Sequence, residues 1–458
     1  MTPEEFRKAG YEVVDWIADY LARTRDYPVL PDMSPGDLAA RLPQSAPESG
    51  EPMERILDDY RKLVVPAVTH WNHPNFYAYF SVSGSPPGIL GEMLAAALNV
   101  NGMLWKSCPA ATELEQVTLG WLRQWMGLPE EFFGVIHDTA SANTLHSIAA
   151  ARELAEPEAH ATGGSGRLTL YTSEQAHSSV EKGAIVAGIG QKNVRKIPVD
   201  DAFRLRADVL GKLIEEDLAA GKKPFCVVAT AGTTSTTSVD PLEEMAGIAA
   251  QYGLWLHVDA AYGGPVSILP EFRRLFAGLE RADSIVTNPH KWMFTPIDCS
   301  VLYTRRPDIL KRAFSLVPEY LKTAEDSQAV NLMDYGVSLG RRFRALKLWF
   351  VMRYYGREGV CRILRRHIAW AQELRAAIQA DLRFEICAPT PFSVVCFRLQ
   401  ASDAENQSLM DRVNRTGKIF MSHTALHGRI VLRLAIGNIG TTREDVMEAW
   451  ELVRKTAG

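Results

Sequence analysis

Lys291 has the setting most suited to chemistry in this 458-residue chain. It lies in the stretch Ser284-Ile-Val-Thr-Asn-Pro-His290-Lys291-Trp292, which reads as a short apolar strand running into a turn. Upstream, Leu254-Trp-Leu-His-Val-Asp259-Ala-Ala261 is a second apolar run that ends in a carboxylate. Each run puts one charged group at the carboxyl end of a buried strand, where open α/β sheets place their ligands. A lysine and a carboxylate presented by separate strands suit pyridoxal phosphate (PLP). The lysine condenses with its aldehyde, and the carboxylate pairs with its pyridine nitrogen. Taken singly, Lys291 also reads as a surface lysine, and Asp259 as a helix cap or structural ion pair. Pro289 holds its predecessor extended, and the apolar run before it argues against a surface position.

Other residues fit the same chemistry. Thr139-Ala140-Ser141-Ala142-Asn143-Thr144 precedes a helix predicted over Leu145 to Leu154. Small residues at a helix N-terminus leave N–H groups free for a phosphate; the stretch reads equally as an ordinary Ser/Thr cap. His177 suits stacking on a cofactor ring, or a satisfied core histidine. Thr233 and Thr234 follow an apolar run, Phe225 to Thr230, and are placed to donate to the cofactor or to Asp259. His70 and His73 lack a third ligand, so no metal is expected. Gly188-Ile-Gly190 lacks the third glycine of a dinucleotide fingerprint, and no P-loop or nucleophile elbow is present.

The elements that must hold these residues alternate between strands and helices. Strands are predicted at Leu168–Tyr171, Val194–Val199, Phe225–Thr230, Leu254–Val258, Ser284–Thr287 and Cys299–Tyr303. Helices are predicted at 112–126, 143–154, 178–186, 207–219 and 242–252. This alternation predicts an α/β fold with a mostly parallel central sheet and helices on both faces. Before it, 4–23 and 53–68 show amphipathic helical spacing and need a cover for their apolar stripes. A partner subunit would supply it. After it, helices at about 340–355 and 357–381, short strands at 393–399 and 430–435, and a helix at 442–456 predict a small α+β domain. The division is 1–84, 85–355 and 356–458.

Composition sets limits. The chain is 47% hydrophobic and 23% charged, with a formal charge of -4. That gives no reason to expect nucleic acid or an anionic membrane as a partner. No apolar run reaches the length of a membrane span, and the N-terminus lacks a secretory pattern. Six scattered cysteines without a CxxC pair read as reduced thiols of a cytoplasmic protein.

In their order, these motifs resemble the group II PLP-dependent decarboxylases, the family of aromatic-L-amino-acid, tyrosine and tryptophan decarboxylases. The resemblance runs from His70-Trp-Asn-His-Pro-Asn-Phe-Tyr-Ala-Tyr-Phe80 through Cys108-Pro-Ala-Ala-Thr-Glu-Leu-Glu115, Gln175-Ala-His-Ser-Ser-Val-Glu181 and Ala229-Thr-Ala-Gly-Thr-Thr234. It continues through His257-Val-Asp-Ala-Ala-Tyr262, Asn288-Pro-His-Lys-Trp292 and Leu339-Gly-Arg-Arg-Phe-Arg344 to Val431-Leu-Arg433. It implies PLP fold type I and an obligate homodimer with sites at the interface. It implies Lys291 as the Schiff-base lysine, Asp259 as partner of the pyridine nitrogen, Ala261 against the ring and His177 stacked on it. Ala140, Ser141 and Asn288 match phosphate contacts, Thr234 lies near the ring, and His290 precedes the lysine. Trp71, Tyr79, Phe80 and Met103 match the substrate pocket.

The implied activity is decarboxylation of an aromatic L-amino acid (Trp, Tyr, Phe or Dopa) to the amine and CO2. One position departs from the family. The loop tyrosine that usually returns a proton to the substrate is Leu332 here, and a leucine cannot donate. Tyr335, three residues on, or His177 is the candidate replacement. Family members without the tyrosine can act as aldehyde synthases, so that product stays open. A PLP-binding regulator without turnover would call for a basic DNA-binding extension. The N-terminal helices carry Glu4, Glu5, Asp15 and Asp19 instead.

Overall fold

The computed structural model describes every residue except 158, 317–320, 322, 326 and 327. Its centre is a seven-stranded sheet in the order β1-β7-β6-β5-β4-β2-β3. The strands are β1 (Phe133–His137), β2 (Leu168–Ser173), β3 (Val194–Ile197), β4 (Lys223–Thr230), β5 (Trp255–Asp259), β6 (Ser284–Thr287) and β7 (Ser300–Thr304). β3, β2, β4, β5 and β6 pair in parallel, while β7 is antiparallel to both β6 and β1. Every residue of β2, β5, β6 and β7 is buried. Covered on both faces, such strands read as unbroken apolar runs. That is why the sequence shows them clearly.

The predicted helices form at Pro109–Met126, Ala140–Ala155, Ser179–Val186, Ala207–Ala219 and Leu242–Tyr252. The second starts earlier than expected. Thr139 is its N-cap, accepting from the Ala142 N–H, so Ala140 and Ser141 lie in its first turn rather than before it. The helix Pro86–Leu98 was not predicted, because Pro86, Pro87, Gly88 and Gly91 look like breakers. Proline is tolerated in a first turn, and Gly91 is there for closeness. A Cβ on it would come within 2.7 Å of the Lys347 Cα. β1 was also missed. Its Gly134 packs under the Tyr303 ring, where a Cβ would come within 2.8 Å.

The N-terminal helix Pro3–Ala22 opens on a capping box between Thr2 and Glu5 and buries no residue of its own. It meets the helix Met53–Asp59 through a Lys8–Glu54 ion pair and the stretch just after it through Arg61–Glu12. The helix expected over 53–68 changes character after Asp59, passing into a wider turn at Tyr60–Val64 and a tighter one at Val65–Ala67.

At the other end, β8 (Phe384–Ile386), β9 (Val394–Leu399), β10 (Ser422–Leu426) and β11 (Arg429–Ala435) form an antiparallel sheet in the order β10-β11-β9-β8. The helices Asp403–Arg415 and Arg443–Thr456 pack beside it, each opened by a capping box. A long helical stretch, Arg344–Gln379, leads into this sheet and breaks at Gly356, whose φ of 61° is left-handed. Hydrophobic packing runs continuously from the central sheet to Phe392, Val394, Cys396 and Val431 of the smaller one. Among the described residues, no helix is long and apolar enough to cross a membrane.

Candidate active site

Four neighbouring strands of the central sheet deliver the predicted residues to one edge. β2 leads to His177, β4 to Thr234, β5 ends on Asp259, and β6 runs through Asn288 into the short turn Pro289–Trp292 that carries Lys291. The Lys291 N–H bonds the Asn288 carbonyl at 2.9 Å, so the turn winds tightly off the strand.

Asp259 is 5% exposed and accepts the Ala261 N–H at 3.0 Å. Among the described residues, neither Asp259 nor Lys291 makes an ion pair within contact distance. Burial lowers the Lys291 pKa, opposed by the field of Asp259 and reinforced by that of Arg433. A buried carboxylate left without a cation is costly, and a half-buried lysine with a lowered pKa is readier to act as a nucleophile.

His177 responds to the same two charges. Burial lowers its pKa, Asp259 raises it, and Lys291 lowers it again. Its Nδ1 accepts the Ser179 N–H at 3.2 Å and lies 2.9 Å from the Ser179 hydroxyl. The ring is therefore neutral with its proton on Nε2, a hydrogen-bond donor rather than a ready acid.

His290 is fixed in the same way. Its Nδ1 accepts the Cys299 N–H at 3.0 Å and burial lowers its pKa to about 3, so Nε2–H is what it can offer.

Asn288 is oriented by a buried relay. His137 Nδ1 donates to Asn143 Oδ1 (2.5 Å), Asn143 Nδ2 to Ser300 Oγ (2.8 Å), and the Ser300 hydroxyl to Asn288 Oδ1 (2.6 Å). The Asn288 amide N–H2 donates to nothing among the described residues. The N–H groups of Ala140 and Ser141, in the first turn of Ala140–Ala155, also donate to nothing among the described residues. Together these donors form a cradle for an anion.

Phe80 lies between two cations. Its ring centroid is 5.2 Å from Lys291 Nζ and 4.8 Å from the Arg433 guanidinium. Behind it, Tyr262 stacks at 3.7 Å and Trp292 stacks on Tyr262 at 4.6 Å. Trp71 and Tyr79 stack at 5.8 Å, and the Tyr79 carbonyl accepts from Arg433 Nη1 at 2.6 Å.

The motif Val431-Leu-Arg433 does not by itself point to a role for Arg433. Arg433 is 3% exposed, and its Nε bonds the Ser235 carbonyl at 3.1 Å, next to Thr234. Its Nη2 is buried and has no hydrogen-bond partner among the described residues. The available signal was an arginine inside the apolar strand Arg429–Ala435.

Two further expected residues sit in apolar packing. The Tyr335 ring packs 4.7 Å from Phe133 in the core beside β1. Met103 clusters with Leu104, Leu321 and Met333. Leu332 is 2% exposed. The loop expected ahead of Leu339 lies partly outside the described residues.

The family described as "Pyridoxal-dependent decarboxylase conserved domain" matches residues 35–400. The chain is 41% identical over 468 residues to an aromatic-L-amino-acid decarboxylase of Catharanthus roseus, covering 99% of this chain and 93% of that one. It is 42% identical over 476 residues to a phenylacetaldehyde synthase of Arabidopsis thaliana, covering 100% and 96%. The structure of Oryza sativa TDC with PLP and tryptamine superposes with a TM-score of 0.97 at 38% identity, covering 100% of this chain and 98% of that one.

The chain belongs to the pyridoxal-dependent decarboxylases. Its fold is the expected type I fold, and its cofactor is PLP. The residues of this decarboxylase fit that group. A buried carboxylate lacks a cation, a depressed lysine lacks a counterion, and free N–H groups on two elements converge beside them.

Proposed function

We propose that this site decarboxylates an aromatic L-amino acid (Trp, Tyr, Phe or Dopa) to the arylalkylamine and CO2. Bound PLP supplies an aldehyde that condenses with amines and a cationic ring that takes up the electrons of a breaking Cα bond. Lys291 would hold it covalently, Asp259 would hold its ring nitrogen, and His177 and Ala261 would flank the ring, with Thr234 close by. Ala140, Ser141, Asn288 and His290 would hold its phosphate.

The observation that carries the proposal is the unpartnered Nη2 of Arg433 beside Phe80 and Lys291. A buried guanidinium with a free Nη2 group selects an anion, and the substrate's α-carboxylate is the anion that fits. Arg433 then fixes the direction of the bond that breaks. Phe80, Trp71, Tyr79 and Met103 offer the side chain an aromatic and apolar wall.

Proton return separates two products. His177 keeps its proton on Nε2 and stays neutral. Leu332 offers none, and Tyr335 is packed in the core. This favours a second reading, in which O2 and water intervene and the products are aldehyde, CO2, ammonia and hydrogen peroxide.

The active form we infer is a homodimer. Phe6 and Tyr11 (each 67% exposed), with Leu90, Leu94 and Leu98 of Pro86–Leu98, leave apolar surface that a second copy would cover. We retain the division 1–84, 85–355 and 356–458 and a cytoplasmic setting, which six free thiols support.

The test is CO2 release from each of the four aromatic L-amino acids, with L-glutamate as the control. Release from an aromatic acid alone is expected. Release from glutamate alone, or from none, would overturn the substrate class.

A further inference from the structure

Behind the phosphate cradle, two buried histidines meet the segment in which Leu332 and Tyr335 lie. The rings of His137 and His146 are 4.4 Å apart and edge-on. His137 is the far end of the relay that orients Asn288; with its proton on Nδ1, its Nε2 faces Gly336. His146 Nε2 accepts the Val337 N–H at 3.3 Å, which puts its own proton on Nδ1. That Nδ1 is buried and has no hydrogen-bond partner among the described residues. Gly336 lies close against both rings. A Cβ there would sit 2.6 Å from His137 Nε2 and 2.8 Å from His146 Cε1.

The rest of the segment is tied down just as closely. Asn331 Oδ1 accepts the Trp105 N–H at 3.0 Å. Asp334 pairs with Lys311 at 3.0 Å and accepts from the Ser315 hydroxyl at 3.1 Å. The Met333 N–H bonds the Met103 carbonyl at 3.1 Å. Holding Gly336 and Val337 therefore also holds Met103, a wall of the substrate pocket.

We propose that His137 and His146 are positioning residues, a seat that fixes Asn331–Val337 and through Met333 sets the wall at Met103. The seat rests on the pocket assigned above. A buried ring with an unpartnered N–H is a poor choice for stability alone. It makes sense where an acceptor must face a backbone N–H from a defined direction.

Three variants test the seat: His146→Leu, which removes the acceptor; His146→Gln, which keeps one; and Gly336→Ala, which pushes the segment off from the other side. Hydrogen exchange of the peptide around Val337 is read in the holoenzyme without substrate. KM and kcat for the preferred aromatic amino acid are read separately. In His146→Leu and Gly336→Ala, exchange should quicken and KM should rise roughly tenfold, with kcat and cofactor absorbance nearly unchanged. His146→Gln should behave as wild type. His146→Leu should melt no lower than wild type, because it removes the unpartnered N–H.

Unchanged exchange, a raised exchange with unchanged KM, or a glutamine variant that behaves like leucine would each overturn the seat. The exchange arm uses no substrate. A wild-type enzyme inactive on every aromatic acid would therefore refute the proposed function, while exchange alone would still decide the seat.

Discussion

The carboxyl edge of the central sheet and the run Asn331–Gly336, with the exposed Val337 after it, both carry polar groups against the core, yet they treat those groups in opposite ways. At the edge, among the described residues, Lys291 and Asp259 have no ion-pair partner and the Nη2 of Arg433 has no acceptor. In the segment, Asn331, Met333, Asp334 and Val337 each have one. Unpaired buried polarity costs stability, so a fold keeps it only where a ligand completes it. Paired polarity fixes a shape.

The comparison is broken most severely at Lys291. Lys291→Ala should lower decarboxylation on the order of 10^4-fold or more and remove the visible absorbance of the lysine-linked cofactor. An unchanged spectrum would mean that another group holds the aldehyde. Next comes Arg433→Gln, which should lower kcat/KM about 10^2- to 10^3-fold, as expected when one partner of a buried charge pair is lost. Arg433→Lys should rescue little, because an ammonium cannot reproduce the fixed fork that holds the Tyr79 and Ser235 carbonyls while donating a third bond. Full activity in either variant would show that the free Nη2 serves no substrate.

Acid should act on packed histidines throughout the fold. Burial lowers the pKa of His146 and His257 to about 4, and of His290 and His367 to about 3. A histidine shifted down contributes stability that is complete above its unfolded value near 6.5 and is lost as pH falls toward its folded value. Each ring then removes up to about 1.4 kcal/mol per pH unit. Asp240, pushed up to about 6 by burial, opposes them with a single group. The urea midpoint should therefore be clearly lower at pH 5 than at pH 7.5, and equal midpoints would contradict the buried neutral rings.

The smallest change belongs to Leu332→Tyr. At a site only 2% exposed, the larger ring should overpack the core by about 1–3 kcal/mol and lower Tm by a few degrees. The ratio of amine to aldehyde should move only slightly while the segment stays seated. A large shift toward amine would show that position 332 visits the site.

The same contrast explains what could be read in the sequence. β5 is a contiguous apolar run that ends on Asp259, and β6 leads directly into the turn of Lys291, so both residues could be placed from the sequence alone. Arg433 was harder to assign. Its partners, Tyr79, Phe80 and Ser235, come from distant parts of the chain. The seat was not legible at all. His137 lies on a strand that Gly134 disguised, His146 looks like any helical residue, and Gly336 looks like a loop glycine. Only the fold brings the three together. The helix Pro86–Leu98 was hidden for a related reason: its prolines and glycines serve a close contact and do not break the helix.

The central claim is best tested by a product balance. Purified holoenzyme would be given its preferred aromatic L-amino acid in air, and CO2, amine, aldehyde and hydrogen peroxide would be counted together. The account predicts one CO2 for each substrate consumed, recovered as amine, with any shortfall in amine matched by aldehyde and peroxide in equal amounts. Substrate consumed without CO2 would contradict it.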